Sequence, residues 1–242
     1  MARHKVLSTK KLDRSIIEEA NQNGIEIIEE EAIRVNPIIS RDKWQEIYQL
    51  LEGNTRFVAF TSSNAVVAVK KYFKEYLNLL DANLKIFALS GKTRQALDEN
   101  LETFGTVIAT ADESRALAHK IIQAKVDELI FFCGNKRRDE LPNILKEGGI
   151  KVHEVIVYET VETPVHSNVD YNAVLFFSPS AVHSFFSANQ LKEHAVCFAI
   201  GQTTADSIAA ASKSKIIISK TPGQEALLQE VINYFKTTVN QN

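Results

Sequence analysis

The stretch FTSSNAVVAV at residues 60–69 has a partner in FFSPSAVHSF at residues 176–185. Each is an apolar run, a short polar knot of Ser, Thr, Asn or Pro, and then Ala-Val opening a second apolar pattern. An apolar run that breaks at such a knot and resumes at helical spacing reads as strand, loop, helix. The repetition widens outward. FALSGKTRQAL (87–97) answers FAIGQTTADSI (198–208), with Thr93 matching Thr204. VIATADESRALAHKI (107–121) answers IIISKTPGQEALLQEV (216–231). KVLSTKKLDRSIIEEANQNGIEI (5–27) answers LIFFCGNKRRDELPNILKEGGIKV (129–152), with Gly24 matching Gly149.

Between these repeats strands and helices alternate. Strands are expected at Lys5–Thr9, Ile25–Glu29, Phe57–Thr61, Lys85–Leu89, Val107–Ala109, Leu129–Cys133, Ile150–Thr160, Ala173–Phe177, Val196–Ile200 and Lys215–Ile218. Arg34–Asn36 is expected to be extended, because the residue before Pro37 avoids the helical region. Helices are expected at Leu12–Asn23, Arg41–Leu51, Ala65–Leu80, Thr93–Thr103, Ser114–Lys125 and Arg138–Glu147, and after each strand of the second half. Runs such as Leu129-Ile130-Phe131-Phe132 and Val174-Leu175-Phe176-Phe177 are apolar on both parities. Such strands are covered by helices on both faces, as in parallel sheets.

The order of the repeats sets the domain organisation. The expected fold is α/β: two similar doubly wound parallel-sheet lobes joined by a two-stranded linker. One lobe takes residues 38–158 in a single stretch; the other takes 1–33 together with 163–242. The chain crosses at 34–37 and at 159–162.

At 242 residues, with 45% hydrophobic and 24% charged residues, the chain has material for one large domain or two small ones. A net charge of -2 offers no global field to gather nucleic acid. Cys133 and Cys197 each lie in an apolar run without CxxC spacing, which reads as buried reduced thiols and a cytoplasmic protein. The N-terminus has no long apolar segment for a signal peptide, and no window of about 20 apolar residues exists for a membrane span. The six histidines show neither HxxxH nor HExxH spacing, so no metal is expected. GxGxxG, Walker A and GxSxG strings are absent, which removes the usual support for dinucleotide, nucleoside-triphosphate and hydrolase readings.

Each knot sits between the carboxyl end of a strand and the start of a helix. Ser, Thr and Asn there cap helices, and the same free N–H groups make anion sites. Thr61-Ser62-Ser63-Asn64, Ser178-Pro179-Ser180 and Gly201-Gln202-Thr203-Thr204 would line the mouth of a lobe, and two facing mouths would make a cleft. The plainer reading, caps and turns only, stays open. Lys136, Arg137 and Arg138, and Lys10 and Lys11 after the first strand, read either as a solvated face or as contacts to an anion.

FTSSNAV, ILKEGGIKVHEVIVYET, FFSPSAV and AIGQTTADSI, in this order and spacing, resemble the uroporphyrinogen-III synthase family. The resemblance covers nearly the whole chain. It implies a cofactor-free lyase that dehydrates hydroxymethylbilane, a linear tetrapyrrole with eight carboxylates, and closes the ring with the last pyrrole inverted. It implies that Tyr158 in VYET is the catalytic group, and that Thr61, Ser62, Ser63, Thr93, Ser178, Ser180, Thr203, Thr204 and Lys10 touch substrate. Where the family often has Thr-Arg-Pro this chain has Thr9-Lys10-Lys11, which keeps the charge and loses the bidentate fork. A monomer is expected, binding neither nucleic acid nor membrane, with at most transient contact to the enzyme that supplies the bilane. The alternatives are a non-catalytic two-lobed protein that binds an anionic ligand or serves regulation, and a nucleotide-sugar transferase.

Overall fold

A computed structural model of the chain describes residues 4–38, 40–52, 56–76, 83–100 and 105–239. In chain order the elements begin β1 (His4–Ser8), α1 (Arg14–Gln22), β2 (Ile25–Glu29), β3 (Ile33–Pro37), α2 (Arg41–Glu52), β4 (Phe57–Phe60), α3 (Ser63–Tyr76), β5 (Leu84–Leu89), α4 (Lys92–Asn100) and β6 (Gly105–Ala111). They continue α5 (Ser114–Gln123), β7 (Glu128–Gly134), α6 (Glu140–Glu147), β8 (Lys151–Glu162), β9 (Ala173–Phe176), α7 (Pro179–Ala188), β10 (Val196–Ala199), α8 (Gln202–Ala211), β11 (Ile216–Ile218) and α9 (Gln224–Val239). The ends expected for two helices, at 77–80 and 101–103, lie outside the described residues.

The chain divides into a first unit, Met1–Arg34 with Val161–Asn242, and a second unit, Val35–Thr160. The first unit holds a five-stranded sheet in the order β11-β10-β9-β1-β2, and its pairs are parallel. The second unit holds a six-stranded sheet in the order β3-β8-β7-β4-β5-β6, with parallel pairs from β8 to β6. β3 and β8, neighbours in that sheet, each run across a boundary between the units.

Two-sided strands produce two cores in each unit. In the first, Val6, Ala173, Leu175, Val196 and Phe198 pack on α1 and α9 through Ile16, Ala20, Leu227, Val231 and Phe235. The intervening residues Leu7, Val174, Phe176, Cys197 and Ala199 pack on α7 and α8 through Val182, Phe185, Ala205 and Ile208. In the second unit Val58, Phe60, Ile86, Ala88, Ile130 and Phe132 face α2, α3 and α4, while Ala59, Phe87, Phe131 and Cys133 face α5 and α6. The paired glycines also match in conformation. Gly24 after α1 has φ +74° and Gly149 after α6 has φ +80°, the left-handed turn that ends a helix cheaply only at glycine.

Element boundaries shift by one or two residues from expectation, and the start of α6 has a clear cause. Arg138 does not open α6, which begins at Glu140 behind the cap residue Asp139. Cations at a helix start oppose the dipole. Arg137 instead turns to the carboxylates of Glu154 and Asp139, and the acidic Glu140 takes the first turn. Among the described residues no helix is long and apolar enough to cross a membrane.

Candidate functional site

Open parallel sheets receive ligands outside the carboxyl ends of their strands, where the strand order reverses. In the second unit the chain builds β4, β5 and β6 outward and then returns to place β7 on the other side of β4. In the first unit the reversal falls between β1 and β9.

At the β4/β7 reversal, Ser62 follows β4 and starts α3. Its carbonyl accepts the Ala65 N–H at 3.1 Å and its Oγ accepts the Asn64 N–H at 3.2 Å. The same Oγ accepts the Tyr158 hydroxyl at 3.1 Å. Tyr158 comes from β8, so its ring must cross β7 to reach β4. Pairing between β7 and β8 shifts register between Cys133 and Gly134, which sets Gly134 against Tyr158. A Cβ on Gly134 would lie 2.4 Å from Tyr158 Cζ and 2.5 Å from Cε2, so the ring occupies the place of a side chain. The Asn135 N–H donates to the Tyr158 carbonyl at 3.2 Å, and Asn135 Oδ1 accepts the Thr160 N–H at 2.8 Å. Burial pushes the Tyr158 pKa above the ordinary phenol value, and the bond to Ser62 partly opposes that rise. The phenol therefore stays protonated and able to donate at neutral pH.

Thr61 and Ser63 flank Ser62 and are half-buried. Thr93 lies in the first turn of α4 and is buried. Beneath the rim, desolvation pushes the Cys133 thiol up to about 11, although the Arg137 charge favours the thiolate.

At the β1/β9 reversal of the first unit, Thr9 donates both its N–H, at 3.1 Å, and its hydroxyl, at 2.8 Å, to the Leu175 carbonyl. Lys10 Nζ sits 5.2 Å from the centroid of the Phe177 ring, a cation–π distance. Ser178 caps α7 by accepting the Ala181 N–H at 3.2 Å, ahead of Pro179 at the first helical position. Ser180 is half-buried in that first turn. Gly201 opens α8, whose first turn exposes Thr203 and buries Thr204.

The structure thus joins Tyr158 to Ser62, puts the Lys10 ammonium over the Phe177 ring, and buries Thr93 and Thr204. Gly134 and Asn135 belong to the Tyr158 site and were not expected from the sequence. The available signal was a glycine closing the otherwise apolar run LIFFCG, which often marks a close approach. An open cavity of about 800 Å³ lies elsewhere in the first unit, lined by residues such as His166, Tyr171, Asn189 and Lys192 and by none of the expected site residues. Among the described residues no group of three or more His, Cys, Asp or Glu side chains is placed to hold a metal ion.

Residues 14–229 match the family model described as uroporphyrinogen-III synthase HemD. The uroporphyrinogen-III synthetase of Helicobacter pylori is similar in structure, with a TM-score of 0.69 and 17% identity over 96% of this chain and 99% of that one. A mutant uroporphyrinogen III synthase of Thermus thermophilus gives 0.64 and 15%, over 99% of this chain and 100% of its own. At such identities the structural likeness speaks for the fold, and the family match speaks for the family. Among curated proteins none matches the chain by sequence.

Proposed function

The chain belongs to the uroporphyrinogen-III synthase family of cofactor-independent cyclising lyases, and on that premise we propose how its residues carry the reaction. The substrate hydroxymethylbilane loses its hydroxyl as water and closes to uroporphyrinogen III with ring D inverted. In the proposed first step the C–O bond of the hydroxymethyl group breaks and the departing oxygen takes the Tyr158 proton. The adjoining pyrrole nitrogen supplies the electrons, and its N–H proton returns to the phenolate, so water leaves and the tyrosine ends unchanged. The resulting azafulvene is attacked by the substituted carbon of ring D, and the spiro intermediate fragments and recloses.

The bilane closes unaided to the uninverted isomer, so the larger task is to hold a folded geometry. We assign the substrate's carboxylates to strand-end N–H groups and hydroxyls at Thr61, Ser62, Ser63, Ser178, Ser180 and Thr203, and to the Lys10 ammonium. The buried Thr93 and Thr204 contribute through the first-turn N–H groups of their helices. The observation that carries this reading is the Tyr158 phenol at the strand reversal, bonded to Ser62 at 3.1 Å. We further infer a monomer working in the cytoplasm, where the buried thiols Cys133 and Cys197 stay reduced, with only transient contact to the enzyme that makes the bilane. The test gives purified protein fresh hydroxymethylbilane and resolves the product isomers. Type III in excess is expected; type I alone would sink the assignment.

A further inference from the structure

A phenol that reaches across a neighbouring strand needs something to hold it in place. Three contacts fix it. The Tyr158 carbonyl accepts the Asn135 N–H at 3.2 Å. Two residues on, the Thr160 N–H donates to Asn135 Oδ1 at 2.8 Å. Just before those anchors in the chain, the ring lies over Gly134, where any Cβ would meet Cζ at 2.4 Å and the hydroxyl at 2.8 Å. The register shift between Cys133 and Gly134 makes this seat, because it places Gly134 rather than a side-chain-bearing residue opposite Tyr158.

We infer that Gly134 and Asn135 are positioning residues for the reaction, setting where the Tyr158 hydroxyl points. The inference rests on the proposed role of Tyr158. Asn135 holds the backbone that directly follows the phenol, at the Tyr158 carbonyl and the Thr160 N–H, and acts on chemistry only through it. Its side chain is exposed, so truncation opens no core cavity. Catalysis by a donor falls steeply with its misplacement, by about 100-fold for an ångström.

The test uses full-length protein carrying tyrosine labelled with carbon-13 at Cζ, with the Tyr158 resonance identified by its loss in Tyr158→Phe. Asn135→Ala is expected to shift that resonance and its alkaline titration. It is also expected to lower kcat roughly 10-fold, well short of the full ångström penalty, with KM changed less than about twofold. Asn135→Asp keeps an acceptor for the Thr160 N–H and is expected to restore both the resonance and kcat. Gly134→Ala displaces the ring and is expected to cost more than Asn135→Ala. The inference is overturned by an unmoved resonance in Asn135→Ala, whether or not kcat falls, or by no rescue in Asn135→Asp. Wild-type turnover in Tyr158→Phe removes the acid role alone, and the resonance still decides whether the seat exists.

Discussion

The two strand reversals are built on one plan and finished differently. Thr9 and Gly134 stand at the same distance in sequence before the matching left-handed glycines Gly24 and Gly149. In the first unit the threonine side chain closes the reversal, bonding the neighbouring strand at Leu175. In the second unit the glycine leaves that place empty of its own side chain, and Tyr158 fills it from the next strand. A repeated architecture therefore does not repeat its chemistry. One rim is sealed by a hydroxyl spent on structure, while the other presents a hydroxyl with a raised pKa.

The sharpest way to break this contrast is to remove each hydroxyl in turn. Tyr158→Phe should lower kcat by about 100-fold, or ~2.7 kcal/mol, with the urea midpoint nearly unchanged. Thr9→Val should do the reverse, keeping turnover while costing about 1 kcal/mol of stability for a buried bond. Equal effects of the two changes on kcat would erase the distinction.

The buried thiols allow a comparison of the two cores. Burial pushes Cys133 in the second unit and Cys197 in the first up to about 11 from a normal value near 9. The unfolded chain therefore releases these protons first as pH rises. Their stabilising contribution is complete below pH 9 and is lost between pH 9 and 11, by about 2 kcal/mol for each thiol. Urea unfolding at pH 8 and pH 10.5 should show the loss, and Cys133→Ala and Cys197→Ala should each flatten it. A slope that survives both changes would assign the alkaline loss to other groups.

Smaller effects sharpen the picture of the rims. Ser62 serves as cap and as acceptor for Tyr158, so Ser62→Ala should cost about 1 kcal/mol of stability and lower kcat severalfold. Ser178→Ala, at a cap without a tyrosine, should show the stability loss with less change in kcat. Lys10→Met keeps the packing on Phe177 and removes the charge, so KM should rise a fewfold, and less so at high salt. A salt-independent KM in both proteins would remove Lys10 from carboxylate binding.

The strand–knot–helix units were legible because both parities of each strand are apolar and because the knots recur. The knots could not be sorted by sequence into caps and ligand contacts, since the same hydroxyls and N–H groups serve both ends. Ser178 and Ser62 illustrate this: each caps a helix, and only the second meets a tyrosine. Thr93 and Thr204 looked like rim residues from their place after a strand, but the first helical turn rotates them inward. Arg138 read as a helix residue because the apolar periodicity that follows gives no start, and the carboxylates that draw Arg137 away are Glu154 on β8 and the cap residue Asp139 itself. The Gly134–Asn135 seat depends on a register shift between strands, which local pattern does not encode.

The first unit is assembled from both ends of the chain, whereas the second is one continuous stretch. On a ribosome, β1, α1 and β2 emerge before the second unit, but β9, the strand that must lie beside β1, is made only after it. Through that interval β1 lacks its partner on the side that β9 will take, while the neighbouring unit is being made. The nascent protein thus carries an unfinished half whose exposed edge invites chaperone capture or mispairing until β9 has been made.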